Sequence, residues 1–232
     1  MRRLRLSAAL LGLVAILPCH EAASQNLLNN PGFETDVFFD FSDETQFNGF
    51  FGGPPGSVLE AFNTTGATPF AGAQALELEI SAGTDPDSGA PVGGFGSFTG
   101  HVQLVPGINP GDEVLFSVYA RNNSVDDPTG TVEVRIEYED SAGAILGTDQ
   151  INLEAVLTDS FQLFDVSGIA PVDTVAANAV FAIASFVPGT EAIDANINVV
   201  FDNASLSVVP EPTSLMLLAV AGTSLLAGRR RN

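Results

Sequence analysis

Val132-Glu133-Val134-Arg135-Ile136-Glu137-Tyr138-Glu139 alternates apolar and charged residues without a slip. Successive side chains of a β-strand point to opposite faces, so this period of two predicts a strand with one buried face and one wet face. The same pattern recurs in Ala75-Leu76-Glu77-Leu78-Glu79-Ile80. Val114, Phe116 and Val118 share one face of another strand, and Ile193, Ala195, Ile197, Val199 and Phe201 share one face of a last strand. Turn chemistry divides these runs: Asn30-Pro31-Gly32, Gly52-Gly53-Pro54-Pro55-Gly56, Asp85-Pro86-Asp87-Ser88-Gly89, Pro106-Gly107, Asn109-Pro110-Gly111 and Asp127-Pro128-Thr129-Gly130. Glycine supplies positive φ and proline presets a turn. No stretch before residue 210 carries a capped helical stripe, and no repeat recurs at a fixed period. Many short strands between Gly/Pro turns predict an all-β chain, a jelly-roll β-sandwich.

The two ends of the 232-residue chain read differently. Met1-Arg2-Arg3-Leu4-Arg5 is a basic start, and Leu6 to Leu17 is an apolar run too short for a stable span. Ala22-Ala23-Ser24 offers small residues for cleavage after Ser24. Residues 1–24 are therefore expected to be a secretory signal helix. The rival is a lipoprotein with Cys19 lipidated, which Pro18 directly before it argues against. Cys19 is the only cysteine, so the mature chain is expected to have no disulfide and no thiolate chemistry.

Charge is the odd feature. The net charge is −20, there is no lysine, and residues 25–208 hold only two cations, Arg121 and Arg135. All but Glu21 and Glu211 of the 28 acidic residues fall in that stretch. A field of this sign repels nucleic acid and anionic membrane surfaces. It also favours divalent cations and salty surroundings, where screening weakens self-repulsion.

The domain opens with Asn26-Leu27-Leu28-Asn29-Asn30-Pro31-Gly32-Phe33-Glu34 and closes with Val199-Val200-Phe201-Asp202-Asn203-Ala204-Ser205-Leu206. These ends resemble the N-L-[LV]-x-N-P-G-F-E and [IF]-D-[DN]-V-S-L strands of galactose-binding-like jelly rolls, especially carbohydrate-binding modules. Ala71 to Leu76 and Val105 to Ala120 resemble interior parts of the same family, although Ala204 stands where a valine is usual and Asp112-Glu113 where an aromatic is usual. The resemblance implies a structural Ca²⁺ held by Glu34 and Asp202, on terminal strands that lie side by side, together with backbone carbonyls. Without the metal these two would be turn residues bonding local amides. Asp85-Pro86-Asp87-Ser88-Gly89 lacks the closing bidentate glutamate of a calcium loop and reads as a turn.

Sugars dock on aromatic faces and are oriented by a few polar groups. The chain has no tryptophan, so Tyr119 and Tyr138 are the candidate ligand-binding residues. Tyr138 also continues the buried face of its strand, while Tyr119 lies opposite Val118 and is expected to be exposed. Phe38, Phe39, Phe41, Phe47, Phe50 and Phe51 crowd one segment, and burial over one mouth of the sandwich is the preferred reading. Catalysis is not indicated. His101 is the only histidine after signal removal, no nucleophile motif is present, and acidic neighbours such as Asp126-Asp127 and Glu139-Asp140 are too many to single out a pair.

After the domain come Val209-Pro210-Glu211-Pro212, an apolar run from Leu215 to Gly228, and Arg229-Arg230-Arg231. This order resembles the PEP-CTERM sorting signal of Gram-negative bacteria. It implies processing near Pro210, Glu211 and Pro212 by an exosortase-type transpeptidase, with Arg229, Arg230 and Arg231 held on the cytoplasmic side of the inner membrane. The run with its flank is about sixteen residues, about 24 Å as a single hydrophobic helix. A plain membrane anchor is the alternative. The expected division is thus 1–24 signal, 25–208 β-sandwich and 209–232 sorting segment. The expected role is a non-catalytic surface or extracellular-matrix protein, exported by the Sec route and associated with extracellular polysaccharide. The alternatives are a carbohydrate-binding module acting as a glycan receptor and, last, a secreted glycan hydrolase. Nucleic acid is not an expected partner.

Overall fold

The computed structural model describes residues 25–35, 43–53, 58–64, 68–81, 83–84, 89, 91–92, 96–124, 130–185 and 197–209. The expected signal segment 1–24, the expected sorting residues Pro210, Glu211, Pro212, Arg229, Arg230 and Arg231, and Phe38, Phe39 and Phe41 lie outside them. The strands are β1 (Asn48–Gly52), β2 (Val58–Thr64), β3 (Ala75–Ser81), β4 (Gly83–Thr84), β5 (Pro91–Val92), β6 (Phe98–Pro106), β7 (Glu113–Asn122), β8 (Thr131–Glu139), β9 (Ile145–Asn152), β10 (Gln162–Ile169), β11 (Ala176–Ala184) and β12 (Ile197–Val209).

Sheet I has the order β1-β6-β11-β8-β9 and sheet II the order β10-β7-β12-β3-β2, while β4 and β5 form a small ribbon. Every ladder is antiparallel. The chain is all-β, and its two sheets pack as a jelly-roll sandwich because each has one apolar face to hide. On β8 that face is Val132, Val134, Ile136 and Tyr138; on β7 it is Val114, Phe116, Val118 and Ala120. The alternation read from the sequence is the alternation of burial along both strands.

Phe181 of β11 sits at the centre of the core. Its ring centroid lies 5.0 Å from Phe201, 5.2 Å from Phe116, 5.7 Å from Phe47 and 5.8 Å from Phe33. Truncating such a ring to alanine costs about 3–5 kcal/mol, a large part of a domain's whole stability.

The expectation for the phenylalanine segment is met in part. Phe47 is buried against Phe33, Phe50 is half-buried, and Phe51 is exposed. The opening segment also differs from expectation. Residues 25–35 form no regular strand, and Glu34 follows a turn. The segment nevertheless runs along β12: Leu27 N–H donates to Leu206 O at 2.8 Å, and Ala204 N–H donates to Pro31 O at 2.8 Å. The Asn26 side chain does the work of a ladder rung, donating to Ala204 O and accepting from Leu206 N–H. A side-chain amide carries the same donor and acceptor as a backbone amide, so it replaces one where the chain is not extended.

Candidate functional site

Register fixes what each sheet shows to solvent. On sheet I, Phe50, Gly100, Ala182, Glu133 and Asn152 stand in one row across β1, β6, β11, β8 and β9. The next row is Asn48, Val102, Val180, Arg135 and Gln150, and the one beyond it carries Leu104, Asn178, Glu137 and Thr148. These residues alternate with the core set, so they form the outer face. The two middle strands contribute small or apolar residues there: Gly100, Val102 and Leu104 from β6, with Ala182 and Val180 from β11. The flanking strands contribute longer groups. The result is a shallow trench along β6 and β11, with Phe50 and Asn48 on one side and Glu133, Arg135 and Glu137 on the other; of its floor Val102 and Leu104 are half-buried, and Gly100, Val180 and Ala182 are buried.

Gly100 is required at its place. A Cβ there would strike the Phe50 ring and the Phe181 carbonyl. The Phe50 and Phe98 rings pair beside it, 6.4 Å apart. On the charged wall, Arg135 holds both neighbours, Nη1 at 2.8 Å from Glu133 Oε2 and Nε at 2.7 Å from Glu137 Oε1. One guanidinium thus fixes two carboxylates in a row, and this half-buried set is stiffer than an exposed pair. Farther along, the trench opens into a cleft of about 260 Å³ lined by Glu44, Asn48, Val102, Leu104, Glu139, Gly143 and Asn178. The Asn178 side-chain amide donates to Glu139 Oε1, and Asn48 Nδ2 donates to Asp43 O and Gln46 O at 2.8 Å each. Gly143 sits in the β8–β9 turn at φ 78°, a conformation glycine takes without strain.

Glu34 and Asp202 meet on the outer side of sheet II, at the loop 70–73. Asp202 is fully buried on β12 at a register break that places Asn203 at φ 49°. Its Oδ2 accepts from Ala71 N–H at 2.9 Å and its Oδ1 from Asn203 N–H at 2.6 Å. Glu34 accepts Ala73 N–H on both oxygens, at 2.9 and 3.1 Å. Between them lies Gly72 at φ 71°, where a Cβ would fall on the Glu34 carboxylate. Burial pushes the Asp202 carboxyl above the usual range; the Ala71, Asn203 and Phe70 amides pull it back, and the Glu34 charge pushes it up further. The pair therefore supplies two hard oxygen donors at a site with surplus negative charge, and Ca²⁺ accepts backbone carbonyls and water for its remaining ligands. Among the described residues no group of three or more acidic, histidine or cysteine side chains gathers as a metal site. Both carboxylates take loop amides, and the room left by the missing Cβ of Gly72 is filled by the Glu34 carboxylate, so an ion bound by the pair would draw its other ligands from backbone carbonyls or water.

The tyrosines lie on the faces expected of them, Tyr138 inward and Tyr119 outward. Tyr138 is 1% exposed, and its hydroxyl donates to Asp149 Oδ2 at 3.1 Å, so it offers no face to a ligand. Burial and the neighbouring Asp149 both raise its pKa. Tyr119 does point outward from β7, but Phe70 stacks flat on it at 3.7 Å and 13°. The rings beside open surface are phenylalanines: Phe50 and Phe98 at the trench, Phe70 on sheet II. A search for tyrosine and tryptophan platforms passes over them, and only strand register tells an outward phenylalanine from a core one. His101 lies on the inner face of β6, buried, with its pKa pushed down to about 3 by desolvation.

No family model matches the chain, and no curated protein matches it. Solved structures do resemble it. The enzymatically active domain of bacteriophage CBA120 tailspike protein 4 superposes with a TM-score of 0.55 at 14% identity, over 79% of this chain and 21% of that one. The arabinose-bound MgGH51 α-L-arabinofuranosidase gives 0.50 at 13% identity, over 81% and 27%. A CBM4 structure gives 0.49 at 15% identity, over 78% and 99%. The chain spans only 21% and 27% of the first two, and at these identities the likeness is one of fold.

Proposed function

We propose that this chain is an exported glycan-binding protein of the cell surface or extracellular matrix, and that the trench on sheet I receives a polysaccharide strand. The observation that carries the reading is the row Phe50–Gly100–Ala182–Glu133, in which the Phe50 ring leans over Gly100 on one side of Ala182 and a carboxylate fixed by Arg135 stands on the other. A pyranose has apolar C–H faces and a rim of hydroxyls. A ring on one wall and charge-held acceptors on the other match both parts. Arg135 keeps Glu133 and Glu137 oriented before a ligand arrives, which lowers the ordering cost of binding. Asn178 and Glu139 extend the polar wall into the cleft, so more than one sugar unit fits along the strands.

Ca²⁺ belongs to the same reading as a structural ion. Glu34 and Asp202 would hold it beneath the loop 70–73, tying the opening segment to β12. The terminal segments support the location: a secretory start, then Pro210-Glu211-Pro212, an apolar run and Arg229-Arg230-Arg231, the order of an exosortase-sorted chain. Intact-mass measurement of the surface-exposed product tests this; cleavage after Ser24 and near Pro212 is expected, and an uncut chain removes the sorting role.

The binding reading is tested by presenting the full chain to a glycan array with and without Ca²⁺. Saturable binding is expected, weakened at least about tenfold, or about 1.4 kcal/mol, by Phe50→Ala and by Glu133→Gln at an unchanged melting temperature. No binding to any glycan overturns it, and shortened glycan products in the same incubation would replace it with hydrolysis.

A further inference from the structure

The opposite face of the sandwich carries the other cation of the domain. Arg121 points outward from β7, two residues beyond Tyr119. Its guanidinium carbon lies 5.3 Å over the Phe161 ring. Phe161 meets the edge of Phe70 at 5.7 Å, and Phe70 in turn lies flat on Tyr119. Ala75 and Val200 form the apolar floor against which Phe161 packs. The ring stack thus fixes the loop bearing Thr68 and Pro69 on one side and the segment bearing Asp159, Ser160 and Phe161 on the other. Between them is a cleft of about 390 Å³ lined by these five residues and Arg121.

The two arginines are used differently. Arg135 is neutralised by two carboxylates. Arg121 makes no ion pair with any described residue. Among the described residues its hydrogen bonds run from Nη1, to Asn123 Oδ1 at 2.8 Å and Asn122 O at 3.4 Å, beside its contact with the Phe161 ring. In a chain with 28 acidic residues, a guanidinium beside a cleft and ion-paired with no described carboxylate has its strongest acceptor still to come. We propose that this cleft is a second binding site, for a sugar unit that carries a carboxylate. The carboxylate meets the free edge of Arg121, the C–H face of the ring lies between Pro69 and Phe161, and the Thr68 and Ser160 hydroxyls meet its hydroxyls. Asp159 sets an upper limit on charge: one carboxylate is attracted by Arg121, and a second would face Asp159 and the net charge of −20. The site is separate from the trench on sheet I, and either can bind without the other.

Calorimetric titration of the full chain with a β-1,4-linked glucose tetramer bearing a single terminal glucuronic acid in place of one glucose, and with the matched all-glucose tetramer, tests the assignment at about 0.15 M salt, where charges beyond about 8 Å are screened. The uronate is expected to bind, with Arg121→Gln weakening it at least about tenfold and leaving the glucose tetramer unchanged. Asp159→Asn is expected to tighten the uronate, a change of opposite sign that stays readable if Arg121→Gln fails to fold. Phe50→Ala is expected to leave uronate binding intact. The inference is overturned if the uronate does not bind, if neither cleft variant changes its affinity, or if Phe50→Ala abolishes it, which would place the ligand on sheet I.

Discussion

Asp202 stands directly across the β12–β7 ladder from Tyr119, on the same outward face. Asp202 takes the amide of Ala71, and Tyr119 takes the ring of the residue before it, Phe70. Two neighbouring side chains from different strands thus grip two consecutive residues of one loop. Phe70 is where it is because a carboxylate holds the backbone one residue farther on.

That grip makes Asp202 sensitive to pH, and the proposed calcium would act on the same carboxylate. Its folded-state pKa lies above the unfolded value, so the folded chain binds the extra proton, and the stability it contributes at low pH is lost as pH rises through the folded pKa. In chelator, wild type is expected to lose melting temperature relative to Asp202→Asn over the range above the usual aspartate pKa. With Ca²⁺ the wild-type loss should vanish, and Glu34→Gln should abolish the metal response. A melting temperature indifferent to Ca²⁺ and chelator would remove the ion.

Gly72→Ala tests the other half of the grip. A methyl group there displaces the Glu34 carboxylate and also strains a backbone at φ 71°. A loss of about 1–3 kcal/mol is expected from the stranded amide and the backbone strain, read by denaturant unfolding. Gly107→Ala makes a useful comparison: its φ of 87° brings the same kind of strain, but no atom lies near a new Cβ. It should cost distinctly less than Gly72→Ala.

His101 should govern acid stability. Buried in the core, it holds its proton far less well than in the unfolded chain, with a pKa of about 3 against 6.5. The unfolded chain therefore takes up a proton first. Stability falls as pH drops from 6.5 toward 3, by about 1.4 kcal/mol per unit of separation at the limit. His101→Gln is expected to flatten this slope in urea melts across pH 4 to 7, and an unchanged slope would refute the assignment.

Tyr138→Phe separates structure from binding. Losing the hydroxyl that meets Asp149 is expected to cost about 1 kcal/mol of stability and nothing in glycan affinity. A fall in affinity at constant stability would restore Tyr138 as a ligand residue.

The sequence showed its strands where one face is wet and hid them where neither is. β7 and β8 alternate in burial and are legible; β3 alternates in sequence and is legible too, although its Glu77 is buried beside Asn123 and Asn198. β11 is buried on nearly every residue because it lies in the middle of sheet I between β6 and β8, so Ala176–Ala184 carries no period of two. Turns were legible through glycine: Gly107 and Gly111 take φ of 87° and 89° in the turns their prolines announce. Glu34 and Asp202 were legible as a pair only through resemblance, because their meeting depends on a loop near residue 72 that neither flanks in sequence. The trench was not legible at all. Its defining feature is a missing side chain at Gly100, which gains meaning only from what stands beside it on β1 and β11.

β12 lies in the middle of sheet II, bonded to β7 on one side and β3 on the other, and it ends at Val209. A tug at that end, as a tethered molecule would feel in flowing water, runs parallel to the strand. Inter-strand bonds lie across that direction, so the β7 rungs beside Ser205 to Val209 bear the load together in shear instead of peeling one after another, with the β3 rungs at Ile197 to Phe201 behind them. The chain leaves the sandwich by the strand best suited to bearing a mechanical load.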